Sequence, residues 1–115
     1  MSYTAAVRNA AHALIRLTSA VRAGYPSEKE KALYHEALNN IAREKQKARP
    51  RVRALILDAY QSGETIISST RLSEETGLEL ALILELAPEL MRPLHPGHAD
   101  FWDIPSCRAV LDRPI

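Results

Sequence analysis

Gly77 joins two apolar-periodic segments, and that junction restricts the fold of this chain more than any other feature. In Leu72-Ser73-Glu74-Glu75-Thr76-Gly77-Leu78, glycine follows a short helical pattern. Glycine reaches the left-handed backbone conformation at no steric cost, which ends one helix and starts another within a few residues. Ser73, four residues earlier, supplies the small side chain that a close helix-turn-helix needs. Ser69 or Thr70 is placed to cap the short helix before the turn. After it, Leu82, Ile83, Leu86 and Leu90 recur at helical spacing and predict a helix over Glu79–Met91, which Pro88 kinks or shortens.

The same logic runs back along the chain. Val7, Ala10, Ala11, Leu14, Leu17 and Val21 gather on one side of a helix expected over Thr4–Ala23, which Gly24 and Tyr25-Pro26 stop. Ser27 with Glu30 forms a capping box for a second helix, whose inner stripe is Leu33, Tyr34, Ala37, Leu38, Ile41 and Ala48. That helix is expected to end before Pro50, because proline disfavours helical backbone in the residue preceding it. Pro50 then opens a third helix with Val52, Leu55, Ile56, Ala59 and Tyr60 inside, up to Gly63. Thr65-Ile66-Ile67-Ser68 is β-branched and short, as a small strand is. Met91–Leu94 and Phe101–Ile104 flank the turn His95-Pro96-Gly97-His98 as two strands, with Phe101 and Trp102 packing on the core. From Pro105 onward no strong pattern remains.

A chain of 115 residues with 46% apolar content is sized for one domain with a real core. The expected layout is a helical hairpin over 1–49, a compact unit over 50–104 and a tail over 105–115. No apolar run spans a bilayer, and Met1-Ser2-Tyr3-Thr4 lacks the basic start of a secretory signal, so a cytoplasmic protein without membrane contact is expected. Lone Cys107 suits a reducing compartment and reads as an inert tail residue. Met1 to Arg53 holds eleven Lys and Arg against four Glu, whereas Ala54 to Ile115 holds four Arg against ten Asp and Glu. Such polarity docks halves together, lines molecules up head to tail, or offers a polyanion one face.

From Arg51 to Asp103 the order helix, short strand, helix, turn, helix, hairpin resembles the winged helix-turn-helix family. The resemblance implies a mainly α fold, an N-terminal helical hairpin followed by a winged helix-turn-helix with a small β wing, whose helix over Glu79–Met91 enters the major groove of DNA. This sequence departs from the pattern there. The outward positions are Leu80, Ala81, Leu84, Pro88 and Met91, flanked by Glu85 and Glu89, with no Lys or Arg before Arg92. Phosphates would meet carboxylates, and base edges would meet leucines that neither donate nor accept. A helix apolar on all sides is normally covered, and burying two leucines contributes roughly 3–6 kcal/mol before ordering costs.

Two functions follow. The first, favoured by the resemblance, is a dimeric regulator gripping nucleic acid through Arg43, Lys45, Lys47, Arg49, Arg51 and Arg53, with Arg92 adding a wing contact. Alternate helix positions lie about 200° apart, so those cations circle the axis unless Pro50 turns it. The second is a protein interaction module, a complex subunit or inhibitory adaptor, that uses Leu80, Leu84 and Met91. His95, His98, Asp100, Asp103 and Cys107 are ligand types at no zinc spacing, so no metal and no cofactor is expected. No nucleophile, base and orienting acid assemble, and no phosphate loop is present, so no enzymatic activity is expected.

Overall fold

The computed structural model describes residues 2–111, and of Ala109 the backbone. It is mainly helical with one small sheet: α1 (Tyr3–Ala23), α2 (Glu28–Gln61), β1 (Ile66–Ser68), α3 (Ser69–Thr76), α4 (Leu80–Leu90), β2 (Arg92–Pro93), β3 (Phe101–Asp103), a 3-10 turn (Ile104–Ser106) and α5 (Arg108–Leu111). The chain divides into two compact units, Met1–Gln46 and Lys47–Ile115.

In the first unit α1 begins at Ser2, whose side chain accepts from the Ala5 N–H at 3.1 Å. It ends at Gly24, where a φ of 75° lets the glycine N–H reach the carbonyls of Ala20 and Val21. The buried seam of α1 differs from the expected one. Tyr3, Ala6 and Ala10 are buried and Ala13 and Leu17 half-buried, whereas Val7, Leu14 and Val21 are exposed. On α2 the inner face keeps Ala37, Tyr34 and Ile41, while Leu33 and Leu38 are exposed. Alanines permit the closest approach of two helices, so the alanine seam is chosen over the bulkier valine and leucine seam beside it.

The break expected before Pro50 does not occur. Proline lies inside α2, which continues to Gln61 as one helix. The reason lies in phase: Ala48, Val52, Ile56 and Ala59 are all buried, and their spacing keeps one helical face across the proline. Burial of that face offsets a penalty of about 3 kcal/mol. The ring removes the donor that Gln46 would otherwise meet, and the two units divide right after that residue.

In the second unit β3 is the central strand of an antiparallel sheet ordered β1-β3-β2, with Ile67 opposite Trp102 and Arg92 opposite Asp103. Its core holds Val52, Ile56, Ile67, Leu72, Ile83, Leu86, Trp102 and Ile104. The cap of α3 is Ser68, whose hydroxyl accepts from the Arg71 N–H, not Ser69 or Thr70. Gly77 adopts φ 71°, and Ser73 Oγ donates to the Leu78 carbonyl at 2.6 Å across the turn. The segment expected to be a patternless tail is ordered through Leu111. Ile104 and Cys107 are buried, so Cys107 is a core residue. Residues 112–115 of that tail lie outside the described residues. No helix among the described residues is long and apolar enough to cross a membrane.

Candidate protein-docking groove

Helix α4 follows the Gly77 turn directly, so the turn fixes which of its sides faces inward. Leu82, Ile83, Leu86 and Ala87 are buried, and Leu80 and Leu84 lie on one flank at 46% and 39% exposure. Met91 does not join it. The helix stops at Leu90, and Met91 is extended at φ −142°, so its side chain leaves the helical phase and is buried.

Phe101 takes the place next to the leucines. The sequence suggested that both aromatics of the β3 hairpin face inward, but adjacent strand residues point to opposite sides. Trp102 is buried against Ile67, and Phe101 is 47% exposed. Strand alternation was the signal that placed Phe101 outside. With Leu80 and Leu84 it lines a groove of about 390 Å³, whose remaining walls include Ser68, Thr70 and Asp100. On the same outer face of the sheet Ile66 is exposed, and exposed Leu94 lies opposite Phe101 through its N–H to the Phe101 carbonyl at 2.9 Å.

Ser69 fixes the groove wall, and nothing in the sequence singled it out beyond a possible cap. Its buried hydroxyl accepts from the Trp102 indole Nε1–H at 2.7 Å and donates to the Ala99 carbonyl at 2.5 Å. Its N–H donates to the Asp100 carbonyl at 2.9 Å. Three bonds from one residue thus tie the start of α3 to the strand that carries Phe101. At the other end of β3, Ser106 Oγ accepts from the Arg92 N–H at 2.7 Å and donates to the Asp103 carbonyl at 2.6 Å.

The expected nucleic-acid residues fall in both units. Arg43 and Lys45 belong to the first unit, where Arg43 donates to Asn40 Oδ1 at 3.1 Å. Lys47, Arg49, Arg51 and Arg53 belong to the second. Arg49 donates through Nε and Nη2 to a single Glu89 oxygen at 3.2 and 3.1 Å, joining α2 to α4. Arg51 donates to the Thr76 carbonyl, one of the acceptors left open at the end of α3. Lys47, Arg53 and Arg92 are exposed. Arg71 likewise bridges Glu64 and Glu75, and the guanidinium holds the Glu64 carboxyl below its usual value while Glu64 raises that of Arg71.

No protein-family model, curated protein or solved structure matches this chain. Its surfaces therefore carry the functional argument. His95 and His98 stand edge to face with ring centroids 6.5 Å apart across the turn, where Gly97 has φ 82°. Among the described residues no three ligating side chains converge to hold a metal ion.

Proposed function

We propose that the second unit is a winged-helix module acting as a protein-docking adaptor. In this reading α3, the Gly77 turn and α4 make the helix-turn-helix, and β2 with β3 makes the wing. The groove between α4 and β3 holds an amphipathic helix with basic flanks. One observation carries the reading: Leu80, Leu84 and Phe101 are exposed along a single depression with Asp100 in its wall. Helix-in-groove recognition uses apolar anchors one turn apart, and Leu80 and Leu84 present a matching pair. Acidic side chains at Glu85 and Asp100 favour cations on the partner, and they oppose phosphate.

The reading in which nucleic acid is held by the basic segment has exposed Lys47 and Arg53 in its favour. It weighs less, because Arg49 and Arg51 donate to Glu89 and Thr76 within the fold. A paired titration tests the choice. Isotope-labelled protein is titrated with a synthetic helical peptide of leucine and arginine at helical spacing, and separately with random-sequence duplex DNA at low salt. Resonances of Leu80, Leu84 and Phe101 should move with the peptide, and Leu80→Glu plus Leu84→Glu should weaken binding at least about tenfold, the size of a lost 1.4 kcal/mol. DNA binding that disappears on Lys47→Glu plus Arg53→Glu, with the peptide leaving the groove resonances unmoved, would overturn the proposal.

A further inference from the structure

We propose that the turn between β2 and β3 carries a divalent transition-metal site whose protein ligands are the imidazoles of His95 and His98. The site is separate from the α4–β3 groove and does not rest on the docking reading. Five residues near the turn are of ligand type, and the fold sorts them. Cys107 is buried in the core. Asp103 stands opposite Ile66 and Arg92, at the end of β3 away from the turn. His95, His98 and Asp100 are exposed, and with Pro96 and Phe101 they line one depression of about 400 Å³. No zinc spacing marks them in the sequence, because the pair is assembled by a turn and not by paired cysteines.

The backbone holds the two imidazoles close. The His98 N–H donates to the His95 carbonyl at 3.1 Å and closes the turn, and Gly97 takes φ 82° inside it. Such a turn keeps its first and fourth Cα atoms within about 7 Å. The rings stand edge to face with centroids 6.5 Å apart. A metal–nitrogen bond of about 2.1 Å puts each centroid roughly 3.2 Å from a shared ion, so tetrahedral ligation needs the centroids about 5 Å apart. The rings therefore close by little more than about 1 Å and one of them turns on its Cβ–Cγ bond, movements that exposed side chains make by rotation alone. Among the described residues neither imidazole and neither Asp100 carboxylate oxygen takes part in a hydrogen bond or ion pair, so ligation breaks nothing. Asp100 does not converge with the rings as a third ligand. Two nitrogens hold the ion, water fills its other positions, and the carboxylate in the same depression supplies the negative charge that neutral imidazoles lack. Imidazole nitrogen suits zinc, copper and nickel, whereas calcium and magnesium take oxygen ligands, so the pair selects the transition metals.

Zinc chloride titrated into the full chain, isotope-labelled at histidine, tests this at neutral pH. The chain has four histidines, and His12 and His35 of the first unit serve as internal comparison. The ring resonances of His95 and His98 should move together and saturate at one equivalent bound, below millimolar zinc, while those of His12 and His35 stay in place. His95→Ala and His98→Ala should each weaken binding at least about tenfold, since either leaves one ligand. Asp100→Asn removes only charge, so it should weaken binding by less, and the difference from the wild type should shrink as salt is added. Copper(II) should bind the same pair more tightly than zinc. All three positions are exposed, so circular dichroism and Trp102 fluorescence should be unchanged in every variant. His95 and His98 resonances unmoved by millimolar zinc, four histidines that shift alike, or a His95→Ala protein that binds as the wild type does would overturn the proposal.

Discussion

Replacing Ser69 by alanine isolates the bond that shapes the groove wall. The hydroxyl is buried and accepts the Trp102 indole N–H at 2.7 Å, and Trp102 is itself only 2% exposed. Alanine leaves that N–H buried with no acceptor, which costs about 1–3 kcal/mol. The Ala99 carbonyl also loses its donor at 2.5 Å, but Ala99 is exposed and water replaces it. A loss of about 2 kcal/mol is therefore expected for the unit containing Trp102. With a urea slope of about 1.5 kcal/mol per molar, the midpoint falls by roughly 1.3 M. Trp102 is the sole tryptophan, so its fluorescence reports this unit directly. A decisive control uses Trp102→Phe, followed by circular dichroism. With the indole N–H gone, Ser69→Ala should cost no more than about 0.5 kcal/mol. If Ser69→Ala costs the same in both backgrounds, or shifts the midpoint negligibly, the argument from the buried indole is refuted.

Pro50→Ala should stabilise the protein. Alanine restores a donor to the Gln46 carbonyl and is worth about 3 kcal/mol over proline in a helix interior, less up to about 1 kcal/mol for the freer unfolded chain, a net of about 2 kcal/mol. A urea midpoint by circular dichroism that does not rise would contradict the uninterrupted helical phase of Ala48, Val52, Ile56 and Ala59. Arg71→Gln should alter the acid limb of stability. Its guanidinium holds the Glu64 carboxyl below the ordinary 4.5, so the folded state binds that proton less readily than the unfolded state. This contribution is full above 4.5 and is lost as pH falls through the depressed value. Both side chains are over a third exposed, so the effect is small. Urea midpoints taken between about pH 5 and about pH 3 should fall less steeply in the variant; equal slopes refute the linkage.

Most elements were legible because local chemistry names them. Gly24 and Gly77 take left-handed backbone where the apolar pattern stops, and Thr65–Ser68 holds the strand that its β-branching indicated. What failed to show was always a choice between two local options settled by packing. Helix α1 has two apolar seams of similar quality, and the one built on the small side chains of Ala6 and Ala10 is the buried one. Pro50 suits a first turn or an interior, and the shared phase of Ala48 and Val52 decided for the interior. Phe101 and Trp102 are both large and aromatic, and the register that sets Trp102 opposite Ile67 left Phe101 outside. Of the groove, Leu80 and Leu84 were readable, Met91 was misplaced by one residue of helix, and Ser69 gave no signal, since a serine before a short helix reads as a cap.

The two arginines turned inward show why the basic segment and the groove are not independent. Arg49 with Glu89 is a surface pair, worth at most about 1 kcal/mol, and a phosphate would exchange for it at little cost. Arg51 is different. It neutralises the negative end of α3 at Thr76, beside the turn that aims α4. Withdrawing it for an external anion would expose an open helix end next to Gly77 and loosen the element that presents Leu80 and Leu84. Two cations on α2 are thus engaged within the fold that presents Leu80 and Leu84. A face built from leucine and phenylalanine, with carboxylates at its rim, discriminates by apolar shape and by attraction to cations. Both of those properties belong to an amphipathic basic helix.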